Sequence, residues 1–185
     1  MKEVNEHEII QGCTQGDSKY QKLFFEKYYS SMFAICFRYS KDEDEAKDTL
    51  QLGFMKAFDN IQHFKKESSI KTWLTRIMIN TAIDQLRIKN KQFLSSLSEQ
   101  DYLIPEEEAL DMEGVEALSP EEAVALLQKL PAGYRTIVNL YAIEGLSHKQ
   151  ISENLGISEG TSKSQLSKAR SLLKKLVTNL YSYAF

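Results

Sequence analysis

The sequence predicts an all-α protein of two small helical domains, an N-terminal helical bundle and a C-terminal helix-turn-helix, joined by an acidic linker. Three observations predict it. The 185 residues contain only 3 prolines and 8 glycines, few breakers for a strand-rich fold. Apolar side chains recur three and four positions apart over long stretches, the period of a helix with one buried face. That period fails between about Leu94 and Ser119, in a stretch that is first Ser-rich and then acidic, with Pro105 and Gly114. The expected divisions are therefore 1–93, a tether 94–118, and 119–185.

In the first domain, Asp17 is placed to cap a long helix after Gly16, with Tyr20, Leu23, Phe24, Tyr28, Met32, Phe33 and Ile35 among its apolar members. A helix from about Asp42 to Ile61 follows, its buried stripe formed by Ala46, Leu50, Phe54, Ala57 and Ile61. The same period turns Asp48, Gln51, Leu52, Met55 and Lys56 away from that stripe. Two of these are apolar, which points weakly to a protein partner. The next helix begins near Ser68 and Ser69. Arg76, Asn80, Asp84 and Arg87 fall four, four and three apart on it and form one polar face, which Lys91 extends, with Trp73 and Ile77 beside its start. Asn offers a donor and an acceptor to a base edge, and Arg suits phosphate. Just upstream, Phe64 sits beside Lys65 and Lys66, an aromatic platform among cations of the kind unstacked single-stranded bases use. An ordinary solvated face with salt bridges fits the spacing equally.

Ser119, Pro120 and Glu122 mark a helix start with a capping box. From Gly145 the string GLSHKQISENLGISEGTSKSQLSKARSLLKK reads as a short helix capped by Ser147, a turn at Gly156 that needs positive φ, and a longer helix capped by Ser158. Leu166, Ala169, Leu173 and Leu176 form the longer helix's apolar stripe. Thr161, Ser164, Gln165 and Lys168 are assigned to the opposite face, with Lys163 and Arg170 flanking. On this reading the residues between Leu166, Ala169 and Leu173 face out. Lys168 and Arg170 then meet phosphate, and Ser164 and Gln165 approach base edges.

Charge agrees once its distribution is considered. The net charge is −3, but no Lys or Arg lies between Phe93 and Leu127, where ten acids do. Without those ten, 23 basic and 16 acidic side chains leave a surplus of +7, and local fields govern nucleic-acid binding. No apolar run approaches the roughly 18 residues of a membrane span, and MKEVNEHEII lacks the apolar core of a secretory signal. A cytoplasmic protein without membrane insertion is expected. Cys13 and Cys36 form no metal-ligand spacing with the scattered His7, His63 and His148, so no metal, no cofactor and two buried thiols are expected. No paired nucleophile and base and no Gly-rich phosphate loop is present, so an enzyme with a small-molecule substrate is not expected.

Five strings then carry a family resemblance: DTLQLGF from Asp48, SIKTWLTRIMINTAID from Ser69, Leu130-Pro131, YAIEGLS from Tyr141, and GTSKSQLSKAR from Gly160. In this order, on either side of a tether, the chain resembles a bacterial sigma factor of the extracytoplasmic-function class. The resemblance implies a transcription initiation factor with core RNA polymerase, promoter DNA and an anti-sigma protein as partners. It implies a region 2-like domain that binds the polymerase clamp helices through Asp48, Gln51, Leu52 and Met55. The same domain would melt the minus-10 element, with Phe64, Ile77 and Asn80 around a flipped base. It also implies a region 4-like domain contacting the minus-35 element through Lys163, Ser164, Ser167, Lys168 and Arg170, and a tether that occupies the RNA channel. This chain departs from the family at Leu52, where Glu is frequent, at Ser162, where Val is usual, and at Gln165, where Arg is frequent. Gln150 and Ser152 replace a usual Glu and Ala. The alternative is a two-domain helix-turn-helix regulator that does not associate with core polymerase.

Overall fold

The computed structural model describes residues 5–89 and 119–182, and every described secondary-structure element is helical. The acidic tether at 94–118 lies outside the described residues, as does Lys91. The chain divides into two compact units, residues 1–85 and 86–185.

The first unit starts with a short helix, α1 (Glu6–Thr14), capped by Asn5, whose side chain accepts from the Glu8 amide at 2.9 Å. Asp17 caps α2 (Ser18–Tyr39) and Asp42 caps α3 (Glu43–Asn60), each by accepting a first-turn amide at 2.8 Å. Such caps satisfy backbone donors that the helix leaves unpaired. On α2 the buried row is Phe24, Tyr28, Met32, Cys36 and Tyr39, spaced four, four, four and three apart. On α3 the expected stripe is buried as read, with Thr49 and Gly53 added to it. Gly53 permits close approach: a Cβ there would stand 2.2 Å from Met78 Sδ. A 3-10 turn (Ile61–His63) leads through a loop, in which Lys66 has φ 59°, to α4 (Ile70–Lys89). Ser69 Oγ accepts the Thr72 amide at 3.0 Å and caps α4.

Helix α1 is latched to α2 at its start. The Tyr28 hydroxyl donates to Glu6 at 2.5 Å and Lys27 Nζ lies 3.1 Å from the same carboxylate oxygen. The Tyr28 bond first, and then Lys27, hold the Glu6 carboxyl below its ordinary value. Cys13 and Cys36 are both buried free thiols. Burial, with Asp17 nearby, raises the Cys13 thiol to about 11. Burial raises Cys36 to about 12. Both stay protonated and unreactive near neutral pH.

In the second unit, Ser119 and Glu122 form the expected capping box for α5 (Pro120–Gln128), with bonds of 3.2 and 2.9 Å. Helix α6 (Ala132–Val138) continues into a π-helical turn (Asn139–Ile143), where the Glu144 amide reaches back to the Asn139 carbonyl at 2.9 Å. The buried Arg135 donates to the carbonyls of Gln128 and Leu130 at 3.3 and 3.0 Å, satisfying acceptors left at the end of α5. Ser147 caps α7 (His148–Leu155), Gly156 ends it in the left-handed conformation at φ 69°, and Ser158 Oγ accepts the Thr161 amide at 2.9 Å to start α8 (Glu159–Ser182). Ile137, Leu140, Ile151, Leu155, Leu166 and Ala169 close the core of this unit.

Candidate nucleic-acid interface

In the first unit, the side chains of α3, the 3-10 turn and α4 enclose a cleft of about 350 Å³ lined by Lys56, Asn60, His63, Trp73, Ile77, Asn80 and Thr81. Two expected site residues, Ile77 and Asn80, meet here. Trp73 and Ile77 lie one turn apart on α4 and supply an apolar wall, and Asn80 lies exposed. Thr81 is fully buried, and its hydroxyl has no hydrogen-bond partner among the described residues. An unpaired hydroxyl of this kind is costly unless a ligand completes it. Asp84 accepts from Lys56 Nζ at 3.0 Å, which holds that ammonium against α4. Asp84 therefore positions a cation instead of standing open on the polar row.

Phe64 is not among the residues lining this cleft. Its ring packs on Trp73 at 5.5 Å between centroids and 50° between planes. Its other surroundings are a shallower hollow of about 240 Å³ that includes His7, Lys66 and Ser69. Lys65 and Arg76 are exposed and Arg87 is half-buried. Of the polar row read on α4, only Asn80 lines the cleft; Trp73 and Ile77 were read as lying beside that row, and Thr81 was not read at all. Lys56 was read only as turned away from the α3 stripe, and Asn60 and His63 had no signal of their own, because only the packing of α3 on α4 brings them there.

On α3, Asp48, Gln51 and Met55 are exposed and Leu52 is half-buried, so the four occupy the outer side as read. Met55 keeps 55% of its surface, unusual for a thioether side chain.

The last helix is rotated relative to the sequence expectation. Ser162, Gln165, Leu166 and Ala169 are buried, with Gln165 at 1% exposure. Lys168, at 6%, lies on the flank of that stripe with its ammonium closed off. The apolar residues alone misplace the centre of the stripe, because two polar side chains complete it. Gln165 thus does not stand at the outer surface, and Lys168 is not displayed there. The exposed row is Lys163, Ser167, Arg170 and Lys174, spaced four, three and four apart. Thr161 and Ser164 are half-buried, and their hydroxyls bond within their own helix start: Thr161 to Ser158 at 2.9 Å, Ser164 to the Thr161 carbonyl at 3.1 Å.

Beside this row, the His148 ring stacks on Tyr141 at 4.7 Å and 23°, and its Nδ1 is hydrogen-bonded to Ser162 Oγ at 2.9 Å. Arg170 lies over the other ring of the pair, 5.7 Å from the Tyr141 centroid. Burial, then the positive Lys163 and Arg170, hold His148 below its ordinary value, with Glu159 acting against them. Among the described residues no helix is long and apolar enough to cross a membrane.

The two units match separate family models: residues 24–92 match sigma-70 region 2, and residues 120–173 match sigma-70 region 4. The chain is 30% identical over 184 residues to the extracytoplasmic-function RNA polymerase sigma factor SigW of Bacillus subtilis, covering 92% of this chain and 96% of that one. It is 29% identical over 189 residues to the RNA polymerase sigma-H factor of Pseudomonas aeruginosa, covering 95% of each. Among solved structures, the sigma factor RpoE of Bartonella quintana, crystallised with the anti-sigma factor NepR, superposes with a TM-score of 0.51 at 25% identity. The match covers 85% of this chain and 96% of that one.

Proposed function

The chain belongs to the sigma-70 family, as a sigma factor of the extracytoplasmic-function class, and we propose that its two units divide promoter recognition between a melting cleft and a duplex-reading helix. As a family member it is a transcription initiation factor that directs RNA polymerase to promoters. The proposal concerns which side chains do so, in the cytoplasm and without catalysis of their own.

The cleft between α3 and α4 takes a base flipped out of the minus-10 element. Flipping removes stacking worth a few kcal/mol, which Trp73 and Ile77 return as apolar contact and the exposed Asn80 as hydrogen bonds to the base edge. Lys56, held by Asp84, lies at the cleft to neutralise the adjoining phosphate, and Lys65 and Arg76 extend that charge along the strand. Phe64 backs the Trp73 wall. On the outer side of α3, Asp48, Gln51, Leu52 and Met55 dock on core polymerase. In the second unit, Lys163, Ser167 and Arg170 face the minus-35 groove. Gln165 and Lys168 support the helix from inside. An anti-sigma protein would act by covering these faces.

The observation that carries this reading is the exposed Asn80 amide beside the apolar wall of Trp73 and Ile77 in one cleft. Asn80→Ala is expected to weaken open-complex formation by about 1–3 kcal/mol with holoenzyme assembly intact, and Met55→Asp to do the reverse. Permanganate reactivity of the melted bases, beside a core-binding titration, separates them. Unchanged reactivity in Asn80→Ala removes the base-binding role. The tether is proposed to mimic RNA in the polymerase channel on the strength of its unbroken negative charge. Neutralising the acids from Glu106 to Glu116 should then slow initiation more than assembly, and equal rates would leave it a spacer.

A further inference from the structure

Two polar residues of α8, Ser162 and Arg170, lie eight positions apart and are joined by side chains from outside the helix. Ser162 is fully buried, and its hydroxyl bonds His148 at the first position of α7. The His148 ring stacks on Tyr141, which stands in the π-helical turn. Tyr141 in turn carries the Arg170 guanidinium over its face. The path leaves α8 at one turn and returns two turns later. A fully buried serine hydroxyl needs a hydrogen-bond partner, and here His148 supplies it from outside the helix.

An exposed arginine loses conformational freedom when it binds phosphate, and one already held in its bound direction loses less. The Tyr141 face supplies such a hold by attraction of the cation to the ring. The widened backbone of a π turn is a recurrent way of placing a side chain where an α-helix would not.

We propose that Tyr141 is a positioning residue for promoter recognition: braced by His148 and Ser162, its ring aims Arg170 at the backbone of the duplex read by α8. This rests on the reading of α8 as the minus-35 helix. Neither Tyr141 nor His148 touches DNA in this scheme; they act through Arg170.

The test uses holoenzyme reconstituted with the full chain, and measures affinity for a duplex promoter over a range of salt. Arg170→Ala should weaken binding and reduce the salt slope by roughly one. Tyr141→Leu should weaken binding about three- to five-fold in the wild-type background and have no further effect beside Arg170→Ala. Tyr141→Phe, which keeps the ring, should bind as wild type. His148→Gln retains an amide for Ser162 but removes the stacked ring. It should weaken binding about two-fold, again only where Arg170 is present, and it reads the bracket should Tyr141→Leu fold poorly. Wild-type affinity in both Tyr141→Leu and His148→Gln overturns the proposal. So do equal losses with and without Arg170, because that is the signature of a purely structural ring. An Arg170→Ala protein with unchanged affinity and slope instead overturns the promoter reading of α8 itself.

Discussion

The two proposed promoter-facing surfaces are built in opposite ways. In the first unit the surface is a hollow, made where α3 and α4 meet, and three of its seven lining residues, Lys56, Asn60 and His63, come from α3 and the 3-10 turn, where the sequence period announced no base-binding site. In the second it is a ridge, a row of four exposed side chains along one helix, Lys163, Ser167, Arg170 and Lys174. A ridge needs only its own helix, so its residues are fixed by rotation about one axis. A hollow needs a second element, so its residues are fixed by tertiary packing. The first kind fails in reading by a wrong angle, the second by missing residues, and both failures occurred.

The sharpest way to break this contrast is at Gln165 and Arg170. If α8 is rotated as described, Gln165→Ala leaves a cavity and unmatched polar groups inside the unit. It should lower stability by about 1–3 kcal/mol, with promoter preference and salt slope unchanged. Arg170→Ala should leave the melting temperature alone and reduce the slope by about one. Thermal melts beside salt titrations decide this. A Gln165→Ala protein of full stability and altered promoter preference would restore the outward orientation. Thr81→Val sharpens the contrast from the other side. Replacing a buried unpaired hydroxyl by a methyl should raise stability by about 1 kcal/mol with strand opening unchanged, because the hydroxyl lies behind the cleft surface that Asn80 presents. Loss of both together, in melts and footprints, would make the hydroxyl structural.

The smallest expected effect is on pH. Glu6 is depressed below the ordinary value of 4.5 by its bonds to Tyr28 and Lys27. A depressed carboxyl contributes stability above its unfolded value, and that contribution is lost as pH falls from about 4.5 through the folded value. Acid should therefore release α1 first. The melting temperature of Glu6→Gln should approach that of the wild type as pH drops through this window, and a constant gap between them would deny the latch any ionic part. This region carries neither proposed promoter surface, so promoter affinity at neutral pH should not follow it.

What was legible in the chain is what local chemistry decides. Asp17, Ser119, Ser147 and Ser158 all cap the helices they were expected to cap, because a cap bonds the backbone two or three residues away and needs no distant partner. Gly156 takes the left-handed turn for the same reason. The outer side of α3 was readable because its apolar stripe is unbroken. Lys56, Asn60 and His63 were not readable as cleft residues, since nothing local distinguishes them from solvated polar groups. The inward turn of Gln165 and Lys168 escaped because a stripe completed by polar residues looks narrower than it is. Helix α1, with Asn5 before Glu6 and apolar Ile9, Ile10 and Cys13, had a signal of its own that a longer neighbour overshadowed.

Gly53 has a wider consequence than the space it leaves. Helix α3 carries the proposed polymerase face on one side and Lys56 and Asn60 of the cleft on the other, and at Gly53 it bears on Met78 of α4 with no room for even a methyl group. A larger side chain there must displace the Met78 thioether or move the helix itself. On the proposed reading, attachment to polymerase and capture of a flipped base thus share one helix and the packing beneath it, so a substitution at neither surface can alter both.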